Sequence, residues 1–88
     1  MSSALDGIRD AAEGAYHEAG DAMRRWPPYN SAHEGLGVLL EEVKELQDHV
    51  FMKQADRDLD AMYKEAIQVA AVALRFAAEL CTEERGRR

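Results

Sequence analysis

The sequence predicts an all-α protein, and three observations carry that prediction. Fifteen of the 88 residues are alanine, with leucine also frequent, and both favour helix. The β-branched residues never alternate over a strand-length run. The only two prolines are adjacent, Pro27-Pro28, so a single strong break divides the chain. One helix is expected before that break and two after it. A chain of this length forms a single domain, residues 1–88.

The first helix is expected from about Ser3 to Arg25. Leu5, Ile8, Ala12, Ala15, Tyr16, Ala19 and Met23 recur at helical spacing and make one apolar stripe. Gly7, Gly14 and Gly20 each cost about 1 kcal/mol relative to alanine, so this helix depends on packing. Arg24-Arg25 suit the negative end of its dipole. Trp26 to Asn30 form a turn. Ser31-Ala32-His33-Glu34 then has the S-x-x-E form of a capping box and starts the second helix, which is expected to end near Met52.

Leu36, Leu39, Leu40, Val43, Leu46 and Val50 supply the second stripe. Gln54 to Asp58 is polar and reads as a connection with room for one short helical turn. The third helix is expected from about Leu59 to Thr82. It is apolar around most of its circumference, with Asp60, Lys64, Gln68, Arg75 and Glu79 confined to one strip. A helix of that kind must be covered on several sides. Three antiparallel helices cannot do so alone, so self-association is expected, as a homodimer or homotetramer that completes a four-helix-bundle-type core. Residues 82–88 are expected to be a frayed, charged tail. Met23, Met52 and Met62 are expected to fill the core.

Charge narrows the function. Seventeen acidic against eleven basic residues give a net charge of −6. Such a field repels phosphate backbones and acidic lipid surfaces, so neither a nucleic-acid polymer nor a membrane is an expected partner. The most apolar stretch, Ala66 to Leu80, is interrupted by Gln68, Arg75 and Glu79 and is too short to span a bilayer. No basic region followed by an apolar run opens the chain. The lone cysteine, Cys81, cannot form an internal disulfide and points to a reducing compartment. A cytoplasmic protein is the expectation.

The candidate chemistry lies in carboxylates. On a helix, Glu41 and Glu45 lie about 40° apart and Glu42 about 60° from Glu45. Three acidic side chains therefore share one flank that borders the apolar stripe. Like charges one turn apart destabilise a helix. The flank is either solvated, or it is held together by a cation. Lys44 points to the far side and cannot neutralise it. Glu65 sits among Val69, Val72 and Phe76, where a carboxylate must be paired, neutral or metal-bound. Gln68 follows one turn later. If the second and third helices pack antiparallel, Glu42, Glu45, Glu65 and Gln68 converge, and such hard oxygen ligands suit Mg²⁺ or Mn²⁺.

Glu41-Glu42-Val43-Lys44-Glu45, followed after nineteen residues by Glu65-Ala66-Ile67-Gln68, resembles the EExxE…ExxD signature of the all-α, MazG-like nucleoside triphosphate pyrophosphohydrolases. The flanks Asn30 to Gly35 and Glu65 to Ala71 are similar to the short, stand-alone branch of that family. The resemblance covers about Trp26 to Leu80.

The resemblance implies an enzyme. It would cleave a nucleoside triphosphate, commonly a deoxy one, to the monophosphate and pyrophosphate by Mg²⁺-assisted attack of water, with Mn²⁺ as a substitute. Glu42, Glu45 and Glu65 match ligand positions. Glu41 matches the first glutamate of the motif, as a further ligand or as the base that orients the water. Gln68 stands where the family has aspartate, which removes one negative charge from the site. Two readings follow: an enzyme working with three glutamates and an amide, or a helical oligomer of the same fold that binds nucleotide and metal without turnover.

Among cations, Lys64 is the first candidate to hold phosphate, ahead of Lys53, Arg57 and Arg75, although each of the four also reads as a solvated surface charge. Trp26, Tyr29 and Asn30, in the turn, could stack on a base and bond its edge; Trp26 and Tyr29 could equally cap the core. His33 has no second histidine at zinc spacing, and His49 lies one turn beyond Glu45. Gly35-Leu36-Gly37 is too short for a phosphate loop.

Overall fold

A computed structural model describes residues 3–81; the tail expected over 82–88 lies outside the described residues. Three α-helices follow one another: α1 (Ala4–Arg25), α2 (Ala32–Val50) and α3 (Leu59–Leu80), with a single 3-10 turn, Gln54–Asp56, between the last two. No strand occurs among the described residues.

Local chemistry sets each boundary. Ser3 caps α1 reciprocally with Asp6: the Ser3 hydroxyl accepts from the Asp6 N–H at 3.2 Å, and the Asp6 carboxylate accepts from the Ser3 N–H at 3.0 Å. At α2, Ser31 accepts from the Glu34 N–H at 3.1 Å, as the sequence predicts. Glu34 reaches one residue further back than a capping box requires. Its carboxylate accepts from the backbone N–H of Asn30 at 3.3 Å and from the Asn30 amide at 3.0 Å. Asp58 caps α3 by accepting from the N–H groups of Asp60 and Ala61. Arg57 donates to the Val50 carbonyl at 2.7 Å and so satisfies the end of α2. Helix α2 stops at Val50, two residues short of the expected end, with Phe51 as its cap.

Helix α3 lies between the other two and packs against both. Successive helices alternate in direction. Gly35, early in α2, meets Phe76 and Leu80, late in α3. Gly14 of α1 meets Ile67, and Glu18 meets Gln68, so α1 runs parallel to α3. The core is small and sits at one end, where Tyr29, Val72 and Leu80 are buried, with Val38, Leu39 and Phe76 packed around them. Gly35 is required there. A Cβ at this position would fall 2.6 Å from Leu80 Cδ1 and 2.8 Å from Phe76 Cδ2. Leu80 is the most enclosed side chain described, so it has nowhere to retreat. Gly35→Ala is expected to lose stability despite the better helix propensity of alanine. Overpacking costs about 1–3 kcal/mol, read as a fall in melting temperature of several degrees.

Two expectations about α3 and its neighbours change. Arg75 and Glu79 do not lie on a solvated strip; they are 6% and 7% exposed. Arg75 Nε donates to Glu79 Oε2 at 2.7 Å, and Arg75 Nη2 donates to Glu79 Oε1 and to the Pro27 carbonyl, both at 3.2 Å. The guanidinium lies 4.3 Å from the centre of the Tyr29 ring. Pro27 and Pro28 carry no N–H, so the first donor after the break is that of Tyr29, and it donates to Glu79 Oε1 at 2.9 Å. The pair thereby fastens the turn between α1 and α2 to the end of α3.

The second change concerns coverage. Met23 and Met52 are substantially exposed and do not fill the core. Leu36, Leu40, Val43 and Val50 form an uncovered row on α2, because α3 packs instead against the side holding Gly35, Val38 and Leu39. The α1 stripe likewise buries only Ala15 and Ala19 and leaves Leu5, Ile8, Tyr16 and Met23 outside. The radius of gyration, 14.7 Å, exceeds the ~12 Å of a closed domain of this length.

Candidate metal centre and adjoining cleft

The antiparallel run of α2 and α3 brings Glu42, Glu45 and Glu65 together. Each offers a carboxylate oxygen, and the three oxygens lie within 4.8 Å of one another. Glu42 and Glu65 are half-buried, whereas Glu45 is exposed. Position explains the difference. Glu42 follows Val38 and Leu39 by one turn on the face that meets α3, and Glu65 stands on α3 opposite it.

The electrostatics are unfavourable to three anions. Burial is the main cause that raises the Glu42 carboxyl above the usual carboxylate range, and the charges of Glu45, Glu65 and Glu41 add to it. Glu65 is raised too, by burial first and then by Glu45, with His49 acting in the opposite sense. Glu65 Oε2 is enclosed, and no hydrogen-bond donor among the described residues reaches it. Glu45 can serve it only while one of the two is protonated. An enclosed oxygen without a donor, flanked by two further carboxylates, is the donor set a hard divalent cation takes.

The sign of the pH effect follows from these shifts. A carboxyl raised in the folded state binds its proton more tightly there. The stability it contributes is complete below the unfolded value of ~4.3 and is lost as pH rises through the folded value. Metal-free protein is therefore expected to gain melting temperature as pH falls through the raised folded values towards the unfolded one. Melts in chelator check this, and the gain should shrink in Glu42→Gln and in Glu65→Gln.

Beside the cluster lies a cleft of about 380 Å³, to which Glu42 also contributes. Its walls include Trp26, Val38, Ala71 and Val72, and its polar residues are Glu18, Glu34, Gln68 and Arg75. Gln68 Nε2 donates to Glu18 Oε1 at 2.7 Å.

The remaining expected site residues fall in different places. Glu41 is exposed and stays outside the three-carboxylate group, acting on it through its charge. Gln68 lines the cleft beside Glu42, with its amide nitrogen committed to Glu18. Lys64 is exposed at a shallow depression that it shares with Glu18 and Gln68. Trp26 is 63% exposed on the wall of the cleft; Tyr29 is buried in the core and also lines the cleft. Asn30 is spent on Glu34. Lys44 pairs with Asp48 at 3.1 Å, away from the cluster.

The role of Glu18 and the burial of Arg75 escape a reading of the sequence. Glu18 shares its helix face with Ala15, Ala19 and Ala22, and the cluster of small residues around an acid is the signal that points to it. Arg75 gives no such signal, since its i,i+4 pairing with Glu79 also suits a solvated surface. No family model, curated protein or solved structure matches this chain. The fold and site define a small helical protein with a three-carboxylate cluster opening beside a cleft. Among the described residues no helix is long and apolar enough to cross a membrane.

Proposed function

We propose that the protein is a MazG-like, Mg²⁺-dependent hydrolase that cleaves nucleoside triphosphates, deoxynucleoside triphosphates in particular, to monophosphate and pyrophosphate. The observation that carries this reading is the meeting of Glu42, Glu45 and Glu65 within 4.8 Å across two helices. The resemblance of the EExxE…ExxQ spacing supports it.

Glu42, Glu45 and Glu65 would hold the ion, with Gln68 as an amide donor at its edge. When bound, the cation draws the anionic phosphate chain to an acidic surface, polarises its oxygens and acidifies water. Glu41, exposed on the same flank, takes the proton of the attacking water. Lys64 would meet the phosphates and Trp26 the nucleoside, whereas Asn30, the other expected contact, is already held by Glu34. Incubation with a panel of triphosphates and Mg²⁺ is expected to release pyrophosphate, and Glu45→Gln to abolish the release. A panel without pyrophosphate from any nucleotide overturns the enzymatic reading.

The hydrogen bond from Gln68 to Glu18 favours a second reading, a binder of nucleotide and metal that does not turn over. Gln68→Asp separates the two. A large gain from near-zero activity supports the binder, and a modest change in an active protein supports the enzyme.

Self-association is part of the proposal. The uncovered rows on α1 and α2 and the open arrangement of the helices leave a core for other copies to complete, as dimer or tetramer. Sedimentation equilibrium is expected to give at least twice the 9.8 kDa chain mass. Leu40→Glu, on the exposed face of α2, is expected to lower it. The lone cysteine, Cys81, supports a cytoplasmic location as part of this reading.

A further inference from the structure

We propose that the cleft beside the carboxylates receives the base of the nucleotide and that Glu18, held by Gln68, selects bases bearing an exocyclic amino group. The inference rests on the nucleotide reading above and assigns the other end of the ligand. Three features of the cleft argue it.

The first is size. About 380 Å³ is within the range of small-molecule pockets and accommodates a base with its sugar. The second is the sign of its charge. Glu18, Glu34 and Glu42 all line it. Arg75 is the only cation among the lining residues, and its guanidinium is already engaged by Glu79 and the Pro27 carbonyl. A phosphate is repelled from such a space, so the phosphate chain belongs at the cation site and the uncharged end of the ligand in the cleft. Val38, Ala71 and Val72 give that end an apolar floor, and the exposed Trp26 indole gives it a flat face to stack on.

The third feature is the hydrogen-bond polarity of Glu18. Gln68 Nε2 occupies Glu18 Oε1. The other oxygen has no partner among the described residues and, ionised, only accepts. Cytosine and adenine offer it an amino group, and guanine offers an N–H and an amino group side by side. Thymine and uracil offer one N–H set between two carbonyl oxygens, which a carboxylate repels. The bond from Gln68 fixes the carboxylate before the base arrives, which lowers the cost of ordering it.

Trp26 is the only tryptophan, so its fluorescence reports on the cleft alone. The intact protein is titrated with deoxycytidine, deoxyadenosine, deoxyguanosine and thymidine in chelator, and with the four triphosphates in Mg²⁺. The amino-bearing ligands are expected to bind about tenfold more tightly than the thymine ones in both series. Glu18→Gln, which keeps the shape, is expected to erase the preference while leaving the Mg²⁺-dependent rise in melting temperature intact. Equal affinity across the four bases overturns the inference, as does a preference that survives Glu18→Gln, or a Trp26 signal that no ligand moves. Base selection without pyrophosphate release leaves the inference standing and removes only the hydrolase reading.

Discussion

Glu42→Gln, Glu45→Gln and Glu65→Gln are each expected to shift stability in opposite directions with and without metal. In chelator the three carboxylates repel one another, and Glu65 Oε2 is enclosed without a donor. An amide at Glu42 or Glu65 removes a charge that burial already disfavours and supplies an N–H. These variants should melt at or above the temperature of the parent protein. In excess Mg²⁺ or Mn²⁺ the order reverses. A cation present at 100 times its dissociation constant adds about 2.7 kcal/mol to the folded state. For a domain of this size that is roughly 10–20 °C in melting temperature. The parent protein should gain it and the three variants should not. Glu41→Gln, exposed and outside the group, should keep the gain. A cluster that is merely a solvated helix face predicts melts unmoved by metal in every variant.

The second large effect concerns the buried ion pair. Arg75→Ala leaves Glu79 enclosed with one donor, the Tyr29 N–H. Glu79→Ala leaves the guanidinium with only the Pro27 carbonyl and the Tyr29 ring, and strips the Tyr29 N–H of its acceptor. Removing one partner of a buried pair costs about 3–5 kcal/mol. That is a large share of the stability of a small domain, so either variant should be largely unfolded near 37 °C by circular dichroism. Arg75→Met with Glu79→Leu should be much milder, because no unpaired charge remains. It still removes the Glu79 acceptor of the Tyr29 N–H, so the turn before α2 should exchange its amide hydrogens faster than in the parent. Equal losses in the single and double variants would show that the pair acts through packing alone.

The sequence made the helices legible because their signals are local. Pro27-Pro28, Ser31 three residues before Glu34, and the polar run from Gln54 each mark a boundary within a few residues of themselves. The acidic group was legible for a related reason. Glu42 and Glu45 share a helix flank by spacing alone, and Glu65 stood out as a carboxylate among apolar neighbours. What could not be read depends on which side of a helix meets its neighbour. Leu36, Leu40 and Val43 have the same spacing as a buried stripe, yet α3 chose the adjacent side, where Gly35 permits close approach. Arg75 and Glu79 look like a surface pair until the proline turn, which lies some fifty residues earlier, supplies a carbonyl, an N–H and a ring to bury them. Glu18 joined the cleft for the same reason: its partner Gln68 is fifty residues distant, and no local pattern connects them.

The central claim is that carboxylates from α2 and α3 hold a divalent cation. A crystal grown with Mn²⁺ and measured at a wavelength where manganese scatters anomalously tests it most directly. The account predicts an anomalous peak within bonding distance of Glu42, Glu45 and Glu65. Manganese at other carboxylates, or none anywhere with those three side chains turned apart, would contradict it.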